Sequence, residues 1–265
     1  MNIVVFVKYV PDATADRHFE DDNTVDRVGV DGLLSELDEY AVEQALQVKE
    51  KLSGDDADDT VVTVLTVGPE QATDAIRKAL QMGADKGVHV LDDAIAGSDA
   101  LGTSLVLAEA VKKIEHDLVV CGMASTDGSM GVVPAMLAER LGVPAVTLGS
   151  EVTVDGNTVT IRRDGDLATE TIEGTLPLVL SVTDQSGEAR YPSFKGIMAA
   201  KKKPLETWSL ADLGIDAELV GLSAAWSTVE GTEARPPRTA GEVVTDADGS
   251  GATALVEFLA SKKFI

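Results

Sequence analysis

Four short apolar runs recur through the first half of the chain: Ile3 to Val7, Thr60 to Val67, Gly87 to Leu91 and Leu118 to Cys121. They are rich in β-branched residues and short, which marks strands covered on both faces. Segments with helical spacing lie between them. Ala41, Ala45, Val48 and Leu52 share one face of a segment from about Glu39 to Leu52. Asp38 stands where an N-cap belongs, and Ser53-Gly54 with the acids after it ends the segment. Gln71 to Met82 is stopped by Gly83, and a helix capped by Ser98 or Asp99 runs to about Ile114. Strands and helices alternating in this way need crossover connections. The chain is therefore of the α/β class, with a doubly wound, mostly parallel sheet.

After Pro144 the pattern changes. Ala145 to Leu148 continues the core. Glu151 to Val154 and Thr158 to Arg163 alternate apolar and polar residues around Asp155-Gly156-Asn157, a hairpin signal. Leu167 to Ile172 and Leu176 to Thr183 follow as strands, so antiparallel strands are expected to be added to the sheet. A second shift comes at Arg190, where lysines cluster and acids thin out. The expected division is 1–189 for an α/β domain and 190–265 for an extended arm ending in a short helix from about Ala252 to Ser261. That arm has little core of its own and must pack on its own domain or on a second chain.

The stretch from Asp117 to Pro144 combines a buried strand, a loop of small residues and a helix from about Val132 to Leu141 that stops at Gly142. Small residues let a ligand approach the backbone, and free N–H groups at a helix start attract anions. Open α/β sheets bind nucleotides at such strand–loop–helix junctions. No GxGxxG or GxxxxGK[ST] is present, so this segment alone reads equally as an ordinary βα connection.

Charge and composition narrow the function. A net charge of −23, from 45 acidic and 22 basic residues, argues against a general nucleic-acid or membrane-surface binder and suits a high-salt cytoplasm, which favours a halophilic source over an acidic mesophilic one. No apolar run reaches the ~18–20 residues of a membrane span, so no membrane insertion is expected. The N-terminal MNIVVFVKYVP reads as a strand and not a signal peptide. The single cysteine, Cys121, fits a reducing cytoplasm. His18, His89 and His116 show no ligand spacing, so neither a metal site nor a Ser–His–Asp hydrolase is expected.

Several stretches, taken in order, resemble the electron transfer flavoprotein β-subunit family, and the resemblance spans nearly the whole chain. They are the first strand running into Val7-Lys8, Leu37-Asp38-Glu39-Tyr40-Ala41-Val42-Glu43-Gln44-Ala45, and Ile76-Arg77-Lys78-Ala79-Leu80-Gln81-Met82-Gly83-Ala84-Asp85. The loop around Asp127, Arg190-Tyr191-Pro192-Ser193, Ile197 through Lys203, and Arg238-Thr239-Ala240-Gly241 complete the set. The sequence departs from the family at Ser35-Glu36, where relatives have Asn-Pro, at Val132, where Gln is usual, and at Met130, where a small or polar residue is common.

The resemblance implies a three-layer α/β/α adenine-nucleotide fold in a heterodimer with an α subunit. FAD would be shared with that subunit and held mainly by it. The β chain would bury an AMP, or a second FAD in electron-bifurcating members that oxidise NADH. Electrons would come from donors such as acyl-CoA dehydrogenases of fatty acid oxidation and pass to a membrane quinone reductase. Carried over by position, the cofactor site involves Phe6, Ser35, Leu37, Asp38, Val67 and Gly122. It continues through Ser125, Thr126, Asp127, Gly128, Ser129, Met130, Gly131, Val132 and Val133. Leu37 is the candidate contact near the flavin. Backbone amides around Gly128 to Val133, with the Ser129 hydroxyl, would hold the phosphate, while Asp127 would cap loop amides. Partner docking falls to Arg190, Phe194, Lys195, Ile197, Met198, Lys201, Lys202 and Lys203, with Phe194 inserting and the lysines steering. No residue is expected to be catalytic; the chain reads as a carrier subunit. A stand-alone ATP-binding stress-type protein shares the layout but leaves the arm unexplained.

Overall fold

The computed structural model describes every residue except 16, 53–59, 234, 235, 237, 238, 240, 242 and 247. The expected helix stop at Ser53-Gly54, and Arg238 and Ala240 of the tail motif, therefore lie outside the described residues. Two compact units are present, Met1–Glu230 and Gly231–Ile265. Among the described residues the second contains one helix, α7 (Gly251–Ser261), whose Leu255, Val256 and Phe258 are exposed within the chain.

In the first unit the chain runs β1 (Asn2–Phe6), β2 (Tyr9–Pro11), β3 (Gly32–Leu34), α1 (Glu36–Lys51), β4 (Val61–Val67), α2 (Thr73–Met82) and β5 (Lys86–Val90). It continues as α3 (Ala100–Lys112), β6 (Leu118–Gly122), α4 (Val133–Leu141), β7 (Ala145–Gly149), β8 (Glu151–Asp155), β9 (Thr158–Asp164) and β10 (Thr169–Thr175). The last elements are β11 (Leu178–Val182), α5 (Phe194–Ala200), β12 (Leu205–Trp208) and α6 (Leu210–Leu213).

Seven strands form one sheet in the order β12-β5-β4-β1-β6-β11-β7, and every neighbouring pair is parallel. β1 shows why helices cover both faces. Its side chains alternate across the sheet: Ile3 and Val5 pack with Ala41, Ala45 and Leu46 of α1 and Ile76 and Leu80 of α2, while Val4 and Phe6 pack with Val106 and Val111 of α3 and Leu137 of α4. This is the doubly wound arrangement expected from the alternation, in the three layers that the resemblance implies.

The antiparallel strands are present, but not where the sequence suggested. β8, β9 and β10 make a separate three-stranded sheet, and β11 returns to the central sheet parallel to both β6 and β7. Burial explains the division. Val152, Val159 and Ile161 turn into the core while the opposite face of the small sheet is polar, whereas all five residues of β11 are buried, as a central strand requires. Among the described residues no helix is long and apolar enough to cross a membrane.

Candidate functional site

The chain leaves β1 for β4 and β5 on one side and then crosses to β6 on the other. The carboxyl ends of β1 and β6 are therefore the topological switch point, where open α/β sheets leave a crevice. Phe6 ends β1 and Gly122 ends β6. The first turn of α1 presses against Gly122. A Cβ there would lie 2.6 Å from Asp38 Oδ1 and 2.8 Å from the Leu37 carbonyl oxygen, so the close approach requires glycine.

This contact corrects the sequence reading of α1. The N-cap is Ser35, its side chain making no cap hydrogen bond, and Asp38 lies inside the first turn. The Asp38 carboxylate instead accepts the Lys8 backbone N–H at 2.8 Å, and the Ser35 N–H donates to the Lys8 carbonyl at 2.8 Å. The Lys8 peptide is thus gripped on both sides by the start of α1. Burial pushes the Asp38 carboxyl up to about 7, against the pull of the Lys8 N–H and charge. Burial, with Asp38 nearby, also pushes the Cys121 thiol up, so it is no thiolate. Ser35 Oγ is buried without a hydrogen-bond partner among the described residues.

The 125–131 loop is organised around Asp127, whose side chain is 1% exposed. One carboxylate oxygen accepts Lys8 Nζ at 2.9 Å and the Gly128 N–H at 2.7 Å; the other accepts Arg27 Nη2. Burial alone would raise this carboxyl, but the charges of Lys8 and Arg27 outweigh it and hold Asp127 well below the usual carboxylate range. Asp127 thus caps the Gly128 amide. Ser129 has a φ of 54°, and both its N–H and its hydroxyl bond the Ser125 carbonyl, at 3.0 and 3.3 Å. The Gly128 and Ser129 amides and the Ser129 hydroxyl are thus engaged within the loop. Among the described residues, no hydrogen bond takes up the N–H groups of Met130, Gly131, Val132 or Val133, which run into the start of α4. Met130 is exposed and Val132 half-buried.

The structure brings Phe6, Ser35, Leu37, Asp38, Gly122 and the Asp127 loop to one sheet end. Val67 ends β4, the neighbour of β1 on the other side, and Thr66 Oγ1 donates to the Val7 carbonyl at 2.6 Å. Arg17 and Arg27 escaped sequence reading. They are the two arginines of the otherwise acidic 12–31 segment, and their isolation there was the available signal.

The partner-facing segment divides into two groups. Ser193 caps α5, accepting the Gly196 N–H at 3.0 Å, and Phe194, Lys195, Ile197, Met198, Lys201 and Lys202 are exposed. Arg190 and Lys203 are engaged inside the chain instead. Arg190 bonds Glu43 through Nε at 2.7 Å and Nη2 at 3.0 Å, and Glu50 through Nη1 at 2.5 Å. Lys203 Nζ donates to the Leu80 carbonyl at 2.9 Å. These two bind α1 and α2, so the outward charge of the segment comes from Lys195, Lys201 and Lys202.

Comparison with known proteins matches this architecture. The electron transfer flavoprotein domain matches residues 22–213. An electron transfer flavoprotein subunit beta of Mycobacterium bovis is 48% identical over 266 residues, covering 100% of this chain and 99% of its own. One from Thermoanaerobacterium thermosaccharolyticum is 35% identical, with 100% of both chains covered. The caffeyl-CoA reductase-Etf complex subunit CarD of Acetobacterium woodii is 34% identical, with 92% of each chain covered. Matched along its full length to β subunits and through most of its length to the family domain, the chain belongs to the electron transfer flavoprotein β-subunit family.

Proposed function

We propose that this chain is the β subunit of a heterodimeric electron transfer flavoprotein, a carrier without catalysis of its own. The observation that carries the reading is the switch point, where, among the described residues, the loop after β6 leaves the N–H groups of Met130, Gly131, Val132 and Val133 without a hydrogen bond and its buried acid is paired with Lys8 and Arg27. An adenine nucleotide fits these residues. The amides of Met130, Gly131, Val132 and Val133 suit a phosphate at the start of α4, Lys8 adds positive charge to the same loop at Asp127, and Ser35 Oγ is a buried hydroxyl without a hydrogen-bond partner among the described residues. AMP is the proposed occupant. FAD, held mainly by the α subunit, would supply the redox chemistry. The role of this chain is to hold that subunit with the exposed parts of the 190–265 arm, to place Leu37 near the flavin and to dock donors.

Exposed Phe194, Ile197 and Met198 support docking by apolar insertion into acyl-CoA dehydrogenase-type donors, with a membrane quinone reductase as acceptor. The charge of −23 supports a cytoplasmic location at high salt. In such a medium the Debye length is only ~3 Å, so Phe194 should matter more than Lys195, Lys201 and Lys202.

Co-expression with an α subunit tests the reading. The expected product is a heterodimer that retains FAD, while this chain alone retains none. A stable homodimer of this chain that binds ATP and ignores the α subunit would contradict it. The likeness to a subunit of a reductase–Etf complex favours one second reading, in which the pocket holds a second FAD and the complex oxidises NADH; two FAD per heterodimer would select it.

A further inference from the structure

Between β2 and β3 the chain makes a 12–31 excursion, of which the function proposed above uses Arg27 alone. Asp12, Asp22 and Asp26 hold local turns. Asp12 accepts the Thr14 N–H at 2.7 Å, Asp22 the Thr24 N–H at 2.9 Å, and Asp26 the Val28 and Gly29 N–H groups at 2.9 and 2.7 Å. Its two arginines reach outward. Arg27 donates through Nη2 to Asp127 and through Nη1 to the Tyr9 carbonyl at 3.3 Å. Arg17 donates through Nη1 to the Thr126 carbonyl at 2.6 Å and through Nη2 to the Pro11 carbonyl at 3.0 Å. Each guanidinium therefore ties the chain just beyond β1 to one residue of the 125–131 loop, a span suited to a planar fork with several donors.

We infer that Arg17 and Arg27 are positioning residues, and that the excursion is a latch holding the 125–131 loop in its ligand-receiving shape. The inference rests on the nucleotide reading of that loop. Two effects follow from the geometry. The Thr126 carbonyl and the Asp127 carboxylate are fixed from outside the loop, which aims the following amides toward the crevice. Asp127, the nearest negative charge in the loop, meets two cations, so an anion at those amides is not repelled. Without Arg27, Lys8 at one carboxylate oxygen is the cation left to offset it among the described residues.

The test uses the α/β complex with Arg27→Met, Arg27→Lys and Arg17→Met. AMP affinity is measured after stripping, together with FAD content and hydrogen exchange of the amides of residues 128–133. The latch predicts that Arg27→Met and Arg17→Met weaken AMP about tenfold or more at unchanged FAD content. Loop exchange should accelerate, and Arg27→Lys, which keeps the charge but not the fork, should fall between. AMP affinity within about twofold of wild type in both Met variants, with unchanged loop exchange, would overturn the latch. A wild-type complex that binds no AMP would overturn the nucleotide reading instead, while loop exchange would still report whether the arginines hold the loop.

Discussion

Asp38 sits at the point where three requirements meet. It must lie in the first turn of α1, reach the Lys8 N–H, and leave room for Gly122. The position buries a carboxyl whose pKa rises from 3.8 to about 7. Between those values the folded chain holds a proton that the unfolded chain releases. The contribution of this group to stability is therefore most favourable below pH 4, falls as pH rises toward 7, and is constant above. In urea unfolding, the difference between wild type and Asp38→Asn should change by about 2 kcal/mol between pH 5 and 7, with wild type losing ground as pH rises. Parallel pH profiles for the two proteins would contradict this assignment. Asp127 has the opposite sign: its depressed pKa contributes stability that is lost on acidification. The resemblance implied both acids for the site, and the sequence suggested a helix cap for Asp38 and a cap on loop amides for Asp127; the strand-end contact of the one and the two cations of the other were not legible. A difference of three residues in the start of α1 decides whether Asp38 caps a helix or clasps a strand end. The partners of Asp127 come from positions 8 and 27, which no local pattern joins to 127.

At the scale of elements, α5 shows how an exposed helix is held without a buried face of its own. Gly196 lets it approach the end of α2, where a Cβ would lie 2.4 Å from the Gln81 carbonyl oxygen. Lys203 closes its far side on Leu80, and Arg190 fastens its near side to Glu43 and Glu50. The Glu43 side chain is 7% exposed, so removing Arg190 strands a mostly buried carboxylate. Arg190→Ala should destabilise the chain by about 1–3 kcal/mol and speed hydrogen exchange across residues 190–203, while Phe194→Ala leaves both unchanged. Unchanged exchange in Arg190→Ala would show that the clasp does not hold α5. The parallel strands and their helices were legible because apolar runs and helical spacing are local signals. The separation of β8–β10 from the central sheet was not, since strand partners are chosen by which faces bury, and alternation shows only that one face does. The same limit hid the inward turn of Arg190, which reads from sequence as one more cation in a basic stretch.

For the whole molecule, the topology explains why distant segments share one site. With β1 central and the chain crossing from β5 to β6, the end of β1, the start of α1 and the loop after β6 converge whatever their separation in sequence. The 12–31 excursion is inserted next to this junction, and its tip also touches the chain near the end of the first unit, Asn23 Nδ2 donating to the Val229 carbonyl at 3.1 Å. In the function proposed above, the switch point holds a structural nucleotide while electrons pass through a flavin held mainly by a partner subunit. The most direct measurement is mass spectrometry of the small molecules released on denaturing the purified α/β complex, for wild type, Gly128→Ala and Gly128→Asp. A Cβ at Gly128 meets Ser125 Oγ at an ordinary 3.5 Å, so alanine fits, while aspartate brings a negative charge to the loop. The account predicts one FAD and one AMP per complex in wild type and Gly128→Ala, with AMP lost in Gly128→Asp. No adenine nucleotide beyond the single FAD in wild type, or AMP fully retained in Gly128→Asp, would contradict it.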